Sequence, residues 1–237
     1  MRRLTTAGLV TLVILGGVGI PAASAQQQLS FSVGGFSPRS EDARTNNDVL
    51  VNNLDFLAFN VSDFSGPLFG AEYLTALGNS FDAGLGIGFY QRSVPTVYTA
   101  FVNTNGTEIE QTLKLRVVPF TATVRWLPMG HHNGVEPYIG AGVGVFNYRY
   151  SESGQFLATD NSIFRGTFVG SGTATGPVIL GGVRVPVGSW GVGGELRYQS
   201  ASGNLPADQD FAGTRNSVGP KIDLGGLTYT FTINIRF

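Results

Sequence analysis

Six charged residues, Glu72, Arg116, Arg125, Arg184, Glu195 and Arg197, stand in segments whose residue types alternate at every second position. Carboxylates and guanidinium groups on such rows can do one of two things. They can pair and fill a confined polar space, which relieves the cost of burying each charge singly. Or they can line a polar path that opens when the pairs part. A tight turn around Gly188 and Ser189 would make Arg184 and Glu195 diagonal neighbours across one hairpin.

Other chemistry-bearing residues give weaker patterns. His131 and His132 are the two histidines, side by side in the turn-like stretch "PMGHHNGVEP", and are read as a solvated turn rather than a metal site or general base. No Ser/His/Asp set can be assembled around them, so the chain is expected to be non-enzymatic and without a cofactor. The glycine-rich runs "GLGIG" from Gly84 and "GAGVGVF" from Gly140 repeat glycine at period 2 with no helix pattern after them. A phosphate-cradling loop needs a helix whose N-terminus faces the anion, so nucleotide binding is set aside. The loops "RSEDARTNND" and "LPADQDFAGTRN" lack calcium-loop spacing and are read as solvated. Zero cysteines exclude disulfides, a thiolate nucleophile and zinc-thiolate sites.

The elements that position these residues begin after a leader. "MRR" followed by the apolar run Ala7 to Ile20 and the A-x-A site Ala23-Ser24-Ala25 reads as a signal peptide over 1–25, with the mature chain over 26–237. The apolar run is shorter than the ~20 residues a spanning helix needs. Without Arg2 and Arg3, 13 basic residues face 16 acidic ones, so no basic footprint for nucleic acid exists. Charged residues make up only 13% of the chain, alongside 34 Gly and 17 Phe. That is about half the ~25% usual for soluble proteins.

Eight alternating segments predict strands over 29–37, 66–77, 80–94, 108–127, 136–150, 174–187, 190–201 and 223–237. The gaps alternate long and short, the rhythm of a barrel with short periplasmic turns and long outer loops. In the third segment Phe81, Leu85, Ile87 and Phe89 share one face, while Asp82, Gly84, Gly86 and Gly88 share the other. The repeated arrangement is apolar outside, small or charged inside, with the glycines making room in a narrow lumen. Trp126, Trp190, Tyr138 and Phe237 fit interfacial girdles. Val178 and Leu180 make the sixth inner row the least polar. An eight-stranded interior is just wide enough for side chains to fill, which favours a plugged lumen over a pore.

The stretches "GPLFGAEYL", "VVPFTATVRWLP", "PYIGAGVGVF" and the aromatic-ended last strand resemble the small eight-stranded outer-membrane barrels of OmpA and OmpW type. The resemblance implies an all-β, eight-stranded antiparallel up-and-down transmembrane β-barrel in the outer membrane of a Gram-negative-type bacterium. It also implies that Tyr229, Phe231, Ile233, Ile235 and Phe237 form the terminal signal read by the barrel-assembly machinery. Outer-membrane lipid and lipopolysaccharide are the expected surroundings of a monomer. The expected role is structural or surface-interacting, with a narrow channel for small or hydrophobic solutes as the alternative and a lipid-modifying barrel enzyme as a distant one.

Overall fold

The computed structural model describes residues 26–45, 47–132, 134–158, 160–206, 211 and 220–237. The expected leader, with Ala23 and Ala25, lies outside them. Period-2 segments become strands, and eight of these hydrogen-bond into a ring. They are β1 (Gln27–Pro38), β2 (Gly66–Ala76), β3 (Phe81–Val102), β4 (Glu108–Trp126), β5 (Glu136–Leu157), β6 (Ile163–Val187), β7 (Trp190–Gln199) and β10 (Gly226–Arg236). Each pairs antiparallel with its neighbour, and β1 closes on β10 with Phe31 opposite Ile233 and Val33 opposite Phe231. Two short strands, β8 (Ser202–Asn204) and β9 (Lys221–Asp223), pair outside the ring.

Three strands run well past their predicted ends. β3 reaches Val102 rather than 94, β5 reaches Leu157 rather than 150, and β6 begins at Ile163 rather than 174. Segments 95–107 and 151–173, expected as polar loops, are therefore largely two protruding hairpins. β1, β2, β7 and β10 stop lower, so β3 to β6 form a tall wall on one side of the ring.

The reason the extensions read as loops is an inversion of polarity along the strands. Low on β4, outward Trp126, Val124 and Phe120 are exposed while inward Arg125, Thr123 and Thr121 are buried. Higher up the same strand, outward Arg116 and Lys114 replace the apolar residues, and inward Val117, Leu115 and Leu113 are buried. The outer surface is thus apolar in a lower belt and polar above it. A belt of exposed Phe, Leu, Ile, Val and Trp, running right round a closed ring, is what hydrocarbon requires of strands, because closure leaves no backbone edge unpaired.

Short turns, the start of β1 and the C-terminal residue lie at the belt's lower rim. Gln27 and Phe237 exchange backbone hydrogen bonds there, at 3.0 and 3.3 Å. Gly188, in the two-residue turn between β6 and β7, takes φ 65°, a left-handed value that glycine adopts without strain. The described parts of the long connections 39–65 and 200–225 lie at the opposite end. By the usual arrangement of such barrels the short turns face the periplasm and the tall wall faces outward.

Candidate functional site: a charge-paired lumen beneath a folded cap

Inside the belt, β2, β4 and β7 each turn charged side chains into the lumen. Arg125 Nη2 lies 2.5 Å from Glu72 Oε2 and 2.8 Å from Glu195 Oε2. Arg197 Nη2 lies 3.0 Å from Glu72 Oε2 and 2.8 Å from Glu195 Oε1. Two cations and two anions alternate in a closed square, so the buried charge sums to zero. Further donors reach both carboxylates, Thr123 to Glu72 at 2.9 Å and Tyr138 to Glu195 at 3.1 Å, while Arg125 Nε is buried with no hydrogen-bond partner among the described residues. The Tyr138 ring also lies under the Arg125 guanidinium, 4.7 Å from centroid to Cζ. Space for the square comes from glycine: a Cβ on Gly84 would run into Glu72 and Thr123, and one on Gly86 into Thr121.

Nearer the start of β1 and the end of β10 lies a second tier. Arg184 reaches Glu136 at 2.7 Å, Asp82 at 3.3 Å and the Gln28 amide oxygen at 2.9 Å. Arg236 closes on Glu136 at 2.9 Å, and His131 Nε2 lies 3.0 Å from Asp82. Gln28 donates to Asn234 at 2.8 Å. Between the square and the residues above it remains a cavity of about 50 Å³ of mixed lining, with Ser30, Ser32 and Thr121 beside Leu68, Ala71 and Pro119. That is room for one or two waters.

Above the square the lumen becomes apolar and is covered. Segment 39–65 turns inward: Val49, Leu50, Leu57 and Phe64 are buried against Leu113, Leu115, Tyr90 and Phe146 of the tall wall. Phe36 packs edge-on against Tyr90, and the Tyr90 hydroxyl donates to the Phe64 carbonyl. A six-residue helix, α1 (Val49–Leu54), is capped by Asp48, whose carboxylate accepts from the Leu50 N–H at 2.9 Å. The same carboxylate holds Arg44 at 3.1 Å and accepts the Asp223 N–H at 2.5 Å. Arg44 also donates to the Asp223 carbonyl at 2.9 Å, which ties the first long connection to β9 and hence to the last. Asn53 donates to Tyr150 at 3.0 Å and to Glu152 at 2.8 Å, pinning the helix to β5.

Several expectations are corrected by this geometry. Arg116 is not in the lumen: its side chain is exposed on the outer wall, opposite Arg149 of β5. Its position shares the even-numbered row of Val118 and Phe120, and above the belt that row meets water. The register, with Arg184 opposite Gly193 and Gly182 opposite Glu195, does make Arg184 and Glu195 diagonal neighbours, but they do not pair with each other: Arg184 joins Glu136 and Asp82, and Glu195 joins Arg125 and Arg197. Tyr138 is no girdle residue; it faces inward and is 4% exposed, while Trp126, Trp190 and Phe237 do face outward. His131 is not in a merely solvated turn but folds back under Asp82, leaving His132 exposed beside it. In the loop "RSEDARTNND", Ser40 to Ala43 and Thr45 are exposed as a solvated loop would be, while Arg44 and Asp48 are buried and anchor the cap. Most of "LPADQDFAGTRN" lies outside the described residues.

Glu72, Arg125, Glu195 and Arg197 are brought together as one cluster, and Val178 and Leu180 sit on the inner row, 1% and 3% exposed. The terminal residues Tyr229, Phe231, Ile233, Ile235 and Phe237 all face outward in the belt. Sequence reasoning did not place Asp82, Glu136, Gln28 and Arg236 in the charge network. Asp82 lies on the inner row of the third segment, and Glu136 shares the parity of Tyr138, so alternation carries the signal.

A closed antiparallel ring with an apolar belt outside and neutralised charges within is a membrane-spanning β-barrel of the small, side-chain-filled kind. No family model matches the sequence, and no curated protein matches it. Among solved structures, the chain is similar to Ail, the attachment invasion locus protein of Yersinia pestis, crystallised with sucrose octasulfate. That match has 11% identity over 90% of this chain and 99% of that one, with a TM-score of 0.44. It is also similar to Neisserial surface protein A, at 11% identity over 90% and 97% of the two chains and a TM-score of 0.46. The N-terminal barrel of Pseudomonas aeruginosa OprF gives 12%, 89% and 97%, with a TM-score of 0.40. Likenesses this distant transfer no residue's role to this chain.

Proposed function

We propose that this chain is an integral outer-membrane protein whose lumen is closed and whose work is done at its outward end, as a structural or surface-interacting element of the envelope. The observation that carries this reading is the neutral square of Arg125, Glu72, Arg197 and Glu195 beneath a packed cap. Among the described residues the square satisfies its own charges. An opening would have to unpair them inside a low-dielectric wall, where breaking one partner of a buried pair costs about 3–5 kcal/mol.

Placement in the outer membrane is supported by the belt, the strand ring and the expected leader. The proposal includes the terminal row Tyr229 to Phe237 as a signal for barrel assembly, since these side chains face outward where another protein can read them. It also includes surrounding lipopolysaccharide, a monomeric state and no enzymatic activity. For the last, His131 is committed to Asp82 at the lower rim rather than to a hydroxyl nucleophile at the outer face.

Purified protein in planar bilayers should show no steady unitary currents at neutral pH. Steady currents from the unaltered chain would sink the closed-lumen reading and favour the narrow channel for small or hydrophobic solutes.

A further inference from the structure

Just above the belt, the outer wall carries three cations with no ion pair among the described residues: Lys114 and Arg116 on β4 and Arg149 on β5. Arg116 and Arg149 are direct cross-strand partners, and Lys114 lies diagonal to Arg149 on the same face. Side chains opposite one another on a sheet stand ~5 Å apart at Cβ, and like charges placed so are destabilising unless something neutralises them. The remedy found at six arginines elsewhere among the described residues, a carboxylate within ion-pair distance, is missing on this row. The neighbours are instead the donors Gln91, opposite Arg116 on β3, and Ser151, opposite Lys114 on β5. These five residues line one recess of about 180 Å³.

The location specifies the anion. Arg116 is the first outward position beyond Val118, and Arg149 stands two residues beyond Asn147, itself next to exposed Val145. Two residues of strand are about 7 Å, so the guanidinium groups lie at the depth where acyl chains give way to headgroups. We infer that Lys114, Arg116 and Arg149 form a binding site for the phosphate of a phosphorylated glycolipid in the outer leaflet, with Gln91 and Ser151 as additional donors. The inference rests on the outer-membrane reading above and assigns the lipid contact to particular residues. Arginine's planar fork suits phosphate oxygens bidentately, and the acyl chains of the same molecule would lie on the belt below, against Phe89 and Phe120.

The test uses the whole mature chain in phosphatidylcholine bilayers containing a minor fraction of spin-labelled diphosphoryl lipid A. The measurement is the association constant of that lipid at the protein surface relative to phosphatidylcholine. The unaltered protein should prefer lipid A, and the combined Lys114→Gln, Arg116→Gln, Arg149→Gln variant should lose that preference by at least about tenfold. Arg116→Lys with Arg149→Lys keeps the charge and should retain most of it, while Arg165→Gln, nearer the tip of the wall, should change nothing. Dephosphorylated lipid A should show no preference on the unaltered protein. Full competition by millimolar inorganic phosphate would overturn the lipid assignment in favour of a free anion. Insertion with an unchanged preference in the triple variant would overturn the patch alone. Failure of the unaltered chain to enter bilayers would sink the membrane reading and the patch together.

Discussion

Glu72 holds the lumen square from both sides: Oε2 accepts from Arg125 and from Arg197, and Oε1 from Thr123. Replacing it with Gln removes the charge but little volume, leaving two buried guanidinium groups to share Glu195. Glu72→Gln should therefore lower stability by about 3–5 kcal/mol, read as a lower urea midpoint in detergent, whereas surface charge changes such as Arg165→Gln stay near zero. An unchanged midpoint would mean that the square is ornamental. In the turn between β5 and β6, Asp160 accepts from the Ser162 hydroxyl at 2.6 Å and its N–H at 3.0 Å. Those bonds hold the Asp160 carboxyl below its ordinary value. With the folded value lowered, its contribution is present above the unfolded value near 3.9 and is lost as pH falls through the folded one. Side-chain NMR should show Asp160 titrating below that reference, and Ser162→Ala should bring it back up. At this scale parity was the legible signal. Arg125, Glu195 and Arg197 follow from alternation, whereas the preference of charge for the interior points Arg116 inward against its even-numbered row. That preference holds only where the outside is hydrocarbon.

Among the elements, the tall wall of β3 to β6 and the connection 39–65 depend on each other. The wall's inner face is apolar above the square, and α1 with its flanking turns supplies the matching apolar surface. Leu50 is fully buried there. Leu50→Ala should cost about 2–5 kcal/mol of cap stability. Hydrogen exchange should report it as faster exchange confined to 39–65 and the wall tips, with the belt strands still protected. Equal loosening of the belt would show instead that cap and barrel fold as one unit. None of this was visible as a cap in the sequence. A helix of six residues gives too short a periodic signal, and its partners, such as Glu152 for Asn53, lie about a hundred positions away. The strand extensions hid for a different reason: alternation continued through them, but with the faces exchanged, so local composition looked like that of a loop. The eight belt segments were legible because both faces there obey one rule over nine or more residues.

For the molecule as a whole, closure depends on the last strand meeting the first, residue for residue from Gln28 with Arg236 to Pro38 with Gly226. Until β10 is in place, β1 and β7 each present an open edge. Deleting Phe237 should reduce insertion, measured as the fraction of heat-modifiable protein in the membrane pellet, while export of the chain is unaffected. Unchanged insertion would separate the terminal aromatic residue from assembly. The exchange of polar and apolar faces along β4 has one more consequence, for depth. Residues 118–126 make eight steps of ~3.3 Å, about 26 Å of strand, and a tilt of ~40° shortens this to about 20 Å along the membrane normal. Sinking by one residue pair would drag Arg116 and Arg149 into hydrocarbon, and rising by one would lift Trp126 and Phe81 out of it. The inversion point therefore acts as a ruler. It fixes the vertical position of the protein and makes a thick bilayer thin locally around it, so thin membranes are the ones in which this chain sits without mismatch.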